Sequence, residues 1–164
     1  INAYAYFLKH SLGPFLWMAR GGLLAVFVTH IALTLWLQAK SAAARPVPYL
    51  NRRSAQASLP SRTMLLTGLL VGAFTVYHLA HFTFGWTHGV TYPDGSTANY
   101  LDVKDEQGRH DVYTMMVAGF RSEPIAILYI VAQLVLFAHL THGIQSVIQT
   151  LGLKGTRFAP VWVW

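Results

Sequence analysis

The chain contains no cysteine. Disulfides, thiolate chemistry, cysteine-held iron–sulfur clusters and c-type haem attachment are thereby excluded, while the compartment is left open. Charge is also scarce. Only 11% of the 164 residues are Asp, Glu, Lys or Arg, against 54% hydrophobic, whereas a soluble domain averages about 25% charged. This is the composition of a membrane protein. Acidic residues are missing from most of the chain, since all six fall from Asp94 to Glu123. The net charge of +6 could suit nucleic acid, but the bases flank apolar runs instead of lining a polar face. That pattern is a topology signal, and no nucleic-acid partner is expected.

What is present is a set of long apolar runs carrying histidine. Residues 124–153 hold no charge, yet include His139, His142, Gln145, Ser146 and Gln149. An ionisable side chain in hydrocarbon is costly and marks a functional site by default. His139 and His142 are three apart and share roughly one face of a helix. Gly143 beside them would let a flat group approach the backbone. A neutral imidazole without a nearby acid is most simply a metal ligand, which in a membrane helix points to haem iron. The competing reading is a histidine hydrogen-bonded to a neighbouring helix.

Taken in order, residues 2–12 are aromatic and weakly polar and read as an interfacial segment, with a wet His10. Gly13-Pro14 separates it from a first transmembrane stretch at about 15–39. Nineteen uncharged residues lie between Arg20 and Lys40, close to the ~20 a spanning helix needs. His30 is the only ionisable residue deep in that stretch. Arg20 is either a snorkelling anchor or a partner for an anionic group such as a haem propionate.

Residues 40–62 form a loop with Lys40, Arg45, Arg52, Arg53 and Arg62 and no acid, and its prolines forbid a continuous helix. The positive-inside rule predicts a cytoplasmic location. The second stretch, about 63–86, contains Gly68 and Gly72 on a small-residue packing face. It also holds His78 and His81, then an exit belt of Phe82, Phe84 and Trp86, with His88 beyond it. The acidic loop 87–122 is expected outside, solvated, with turns at Asp94-Gly95 and Gly108 and a short amphipathic helix over 111–120. Ser122 with Glu123-Pro124 predicts the start of a third transmembrane helix, 124–151. Lys154 and Arg157 return the chain to the basic side, and 158–164 reads as the start of another helix. The chain opens mid-pattern at Ile1 without an initiator methionine, so a preceding segment is expected as well.

Two histidines clamp one haem only at similar depth. At about 1.5 Å per residue, His30 is about 15 Å from Lys40, His142 about 18 Å and His139 about 22 Å from Lys154. His78 and His81 are about 24 and 28 Å from Arg62 by the same rise. His30 therefore pairs with His139 or His142 towards the inner side, and His78 or His81 needs a partner from elsewhere. Spacing alone chooses within neither pair.

Several pieces in order resemble the diheme cytochrome b membrane anchors of succinate dehydrogenases and fumarate reductases, of the single-subunit, five-helix type. They are Arg20-Gly21-Gly22-Leu23-Leu24 ahead of His30, Ala44-Arg45-Pro46, Tyr77-His78-Leu79 and Asp111-Val112-Tyr113. The last is His139-Leu140-Thr141-His142-Gly143, running on to Ser146 and Gln149-Thr150-Leu151-Gly152. The resemblance implies an all-α integral membrane bundle, with three complete helices here and the start of a fourth, matching the second to fifth helices of the family. It implies two haems b. His30 and His139 would ligate the inner one and His78 the outer one, whose other histidine comes from a helix absent here. Arg20, His81, His142 and Gly143 would be contacts around the cofactor.

The implied partners are a flavoprotein subunit, an iron–sulfur subunit, menaquinone and the lipid of a bacterial inner membrane. The complex would oxidise succinate or, in reverse, reduce fumarate, as respiratory complex II of the tricarboxylic acid cycle does. No flavin, iron–sulfur cluster or dicarboxylate site is expected on this chain. Two rivals remain: a cytochrome b subunit of another membrane oxidoreductase, and a haem-free structural anchor.

Overall fold

The computed structural model describes residues 1–44 and 59–153. In chain order the elements are α1 (Asn2–Ser11), α2 (Gly13–Ala43), α3 (Leu59–Arg62), α4 (Met64–His78) and a π-helical turn (Leu79–Thr83). A hairpin of β1 (Gly89–Thr91) and β2 (Thr97–Asn99) follows, then α5 (Val112–Phe120) and α6 (Glu123–Thr150). Three helical stretches, Gly13–Ala43, Met64–Thr83 and Glu123–Thr150, are long and apolar enough to cross a membrane. They correspond to the stretches predicted at 15–39, 63–86 and 124–151, and the chain is that of a helical membrane protein. The expected helix start at 158–164, Lys154 and Arg157, and the basic residues Arg45, Arg52 and Arg53 lie outside the described residues. The chain divides into two compact units, bounded by Ile1–Ser54 with Gly89–Ala118 and by Ala55–His88 with Gly119–Trp164.

In the first unit, α1 ends where Gly13-Pro14 requires it. Proline in the first turn of α2 needs no N–H partner, so one helix stops and the next begins there. No residue of α2 is buried, and its two ends carry matching clamps. The Arg20 guanidinium lies over the Trp17 ring at 5.1 Å, and the Lys40 ammonium over Trp36 at 4.5 Å. Twenty residues of rise between the two cations is about 30 Å, the thickness of a hydrocarbon core at about 30 Å. Aromatic rings that stack their own cations suit headgroup depth.

The acidic stretch of this unit is more ordered than the expected solvated loop. β1 and β2 pair antiparallel with Val90 opposite Ala98, around a turn in which Asp94 accepts from the Ser96 N–H and hydroxyl at 2.9 and 2.6 Å. Gly95 sits at φ 83 there, a backbone region that glycine adopts without strain. Val90, Tyr100, Val103 and Met115 are buried and form a small apolar core. Asp105 gathers the N–H groups of Gln107 and Arg109 at 3.0 and 2.9 Å and the Arg109 guanidinium at 2.8 Å. The three-residue strands are too short to carry an alternating pattern, so only their turns were legible.

Asp111 precedes α5 and accepts from the Thr114 N–H at 3.0 Å, the bond of a helix cap. Its carboxylate also receives the Asn2 side-chain amide at 2.8 Å, while Asn2 Oδ1 accepts the Tyr113 N–H at 3.0 Å. The first residue of α1 thus closes the first turn of α5.

In the second unit, α4 and α6 pack antiparallel. Met64 lies near Gly143, Gly68 near His139, and His81 near Tyr129. Ser122 stands at the N-cap of α6 with Pro124 in the first turn, but its hydroxyl makes no capping bond. Proline sets this start, not the serine. Of the expected exit belt, Phe84 and Trp86 are exposed and stack on each other at 4.6 Å. Phe82 is no belt residue, because its ring stacks on His81 at 4.0 Å.

Candidate cofactor site

Two levels of histidine occupy the α4–α6 pair. At one, His139 of α6 meets Thr67 and Gly68 of α4. A Cβ added at Gly68 would come within 3.1 Å of His139 Cε1, so the missing side chain makes room for the imidazole. The Gly68 that the sequence marks as a helix-packing residue is here a seat for a ring. Thr67 Oγ1 lies 3.1 Å from His139 Nδ1 and 3.1 Å from the carbonyls of both Thr63 and Met64. A hydroxyl has one proton and two lone pairs. With that proton directed to the backbone, the oxygen can only accept from His139. The neutral imidazole then carries its proton on Nδ1, and the lone pair falls on Nε2.

At the other level, His78 and His81 of the opposite helix share one partner, the Tyr129 hydroxyl. It lies 3.4 Å from His78 Nδ1 and 3.0 Å from His81 Nδ1. The π-helical turn begins immediately after His78 and contains His81. It widens the helix where both rings must reach one oxygen, and such turns recur at functional sites. The two histidines differ in exposure. His81 has no solvent-exposed surface. The rings of Tyr77, Phe82, His88 and Tyr129 surround it at centroid distances of 5.5, 4.0, 5.0 and 5.8 Å. His78 is exposed.

The levels are ten residues apart on both helices, Gly68 to His78 and Tyr129 to His139, or about 15 Å of rise. Between them the helix pair forms an apolar cleft of about 310 Å³ lined by Leu70, Phe74, Tyr77, Leu128, Val131 and Val135.

His30 is exposed on α2 in the first unit, and its carbonyl accepts the Thr34 hydroxyl at 2.8 Å. Arg20, also there, is stacked on Trp17. His142 is half-buried one turn beyond His139. The Gly143 backbone faces the Met64 methyl, 3.7 Å from where a Cβ would stand. Among the described residues no three His, Asp or Glu side chains gather as a metal cluster, and bis-histidine haem ligation requires only one imidazole on each side of the iron. The donor set fits that group: imidazoles with Nδ1 held by hydroxyls, one seated on a glycine and one open at the surface. Thr67 and Tyr129 were not legible as site residues, since their only signal is a hydroxyl in the first turns of an apolar helix, which many membrane helices carry for packing alone.

Comparison of the chain with family models, curated proteins and solved structures gives no match.

Proposed function

We propose that this chain is the haem b-binding membrane anchor of a succinate:quinone oxidoreductase, conducting electrons between an iron–sulfur subunit and a membrane quinone. The observation that carries the reading is the placing of His139 and of the His78–His81 pair at two levels of α4 and α6, each with an Nδ1 hydrogen-bonded to a hydroxyl of the facing helix. Such a bond fixes the tautomer and ring plane of an iron ligand and raises its basicity. Two levels about 15 Å apart suit two haems stacked across a bilayer.

In this reading His139 would be a ligand of the haem nearer the soluble subunits, with His30 as the other ligand that the family resemblance implies. His78 would be a ligand of the second haem, whose other histidine the resemblance assigns to a further helix. Haem b supplies reversible one-electron transfer when bound, and bis-histidine ligation closes the iron to oxygen. This chain's residues do the rest. Thr67 and Gly68 hold the His139 ring, His81 and His142 line the cofactor's surroundings, Arg20 answers a propionate or the headgroups, and Gly143 permits close approach. The basic loop 40–62 faces the cytoplasm of a bacterium, where a flavoprotein and an iron–sulfur subunit dock. Electrons leave to menaquinone.

A second reading rests on the same hydrogen bonds. Histidines bonded to hydroxyls of a facing helix also serve as interhelical ties in a haem-free anchor. A reduced-minus-oxidised spectrum of the purified complex, with pyridine-extracted haem counted per chain, separates the two. The proposal expects two haems b, at least one reducible by succinate before dithionite is added. Absence of a Soret band would leave only the anchor. Copurification with a different dehydrogenase would move the chain to another membrane oxidoreductase.

A further inference from the structure

We infer that Tyr129 is the positioning residue for His78, holding it as the iron-binding member of the His78–His81 pair. The inference rests on the haem reading above and extends it to a residue outside the ligand set.

The phenol of Tyr129 carries a single proton. Tyr129 Oη faces two Nδ1 atoms, at 3.0 Å from His81 and 3.4 Å from His78. Phenol is the strongest donor of the three groups, and its proton goes to the nearer nitrogen, that of His81. The oxygen lone pairs then accept Nδ1–H from His78. His78 is left in the tautomer whose lone pair lies on Nε2, the atom that would bond iron. Steric access points the same way. His81 is fully enclosed and His78 is exposed, so a planar cofactor can reach only His78.

The hydroxyl is well fixed for this task. The Tyr129 ring meets Phe74 edge-on at 4.9 Å and Phe120 at 5.0 Å, with Phe82 at 5.8 Å. Phe82 in turn fills the space over Gly119, where a Cβ would come within 2.8 Å of its ring. This aromatic cage holds the oxygen between the two imidazoles. A positioning group must itself be locked in this way.

The test is Tyr129→Phe in the whole membrane complex, read beside wild type and His78→Ala. Phenylalanine keeps the cage and removes only the hydroxyl. His78→Ala is expected to lose one haem per chain and so identify the spectrum of the affected haem. Tyr129→Phe is expected to keep that haem on purification but release it to apomyoglobin ten- to a hundredfold more readily. Its reduction potential is expected to move upward, because an imidazole without an Nδ1–H acceptor donates less to ferric iron. The other haem should stay at its wild-type potential. Unchanged retention and potential in Tyr129→Phe, with one haem lost in His78→Ala, would overturn the role of Tyr129 alone. A wild-type complex without haem, or a full haem count in His78→Ala, would overturn the haem reading beneath it.

Discussion

Thr67 Oγ1 stands 3.1 Å from His139 Nδ1, across the interface of two antiparallel helices. The contact joins a hydroxyl whose proton is directed to its own helix with an imidazole that must therefore donate. Thr67→Val keeps the shape and removes the acceptor. We expect it to weaken haem retention at the His139 level ten- to a hundredfold without lowering expression of the chain. Haem transfer to apomyoglobin, followed at the Soret maximum, measures this.

Gly68→Ala sets helix propensity against space. Alanine favours a helix by about 1 kcal/mol over glycine. The new methyl, however, would lie 3.1 Å from a ring that Thr67 already ties down. Because the ring has little freedom to yield, the expected outcome is a displaced His139 and partial loss of the haem it holds. Gly68→Leu should lose it entirely. Haem per chain, counted by pyridine extraction, distinguishes the two, and equal counts in all three proteins would remove the glycine from the site.

Asn2 offers a test that needs no cofactor. Its amide closes the first turn of α5 through Tyr113 and Asp111, and a net hydrogen bond contributes about 1 kcal/mol. Asn2→Ala should loosen the cap formed by the hairpin and α5, with faster hydrogen exchange at Tyr113 and Thr114. The α4–α6 pair should exchange as before.

The same cap should respond to acid. The Arg109 guanidinium beside Asp105 holds its carboxyl below the usual carboxylate range, and the Thr114 hydroxyl does the same for Asp111. A folded-state pKa that is depressed stabilises the fold above the unfolded value and withdraws that support as pH falls through the folded one. The cap should therefore stay ordered at neutral and mildly acid pH and loosen only below the ordinary aspartate pKa of 3.8. Proteolysis by pepsin between Val103 and Val112 across that range tests it. Cleavage already at pH 5 would contradict the stabilising role.

The spanning helices were legible because their determinants are local. Gly13-Pro14 ends one helix and starts the next, Pro124 opens α6, and long uncharged runs lie between. The candidate histidines were legible for a related reason, since an ionisable group is conspicuous in an apolar run. What stayed hidden was pairwise. Nothing near Thr67 announces His139, 72 residues away. Nothing around Tyr129 announces that two imidazoles converge on it. The hairpin escaped because a core of Val90, Tyr100, Val103 and Met115 is assembled from scattered single residues. The π-helical turn escaped because Leu79–Thr83 has the composition of an ordinary helix.

That turn has a consequence for how the chain tolerates change in length. A π-helical turn takes up about one residue more than an α-turn, and Leu79–Thr83 is the last turn of its helix, with Phe84 already in a bend. The surplus residue is absorbed there, so an ordinary α-turn one residue shorter would release the chain at nearly the same place. A single-codon deletion within Leu79–Thr83 would therefore disturb the approach of His81 to Tyr129 while leaving His78 and the exit through Gly85 and Trp86 where they are. The same deletion in the α-helical stretch before His78 would rotate everything beyond it by about 100°.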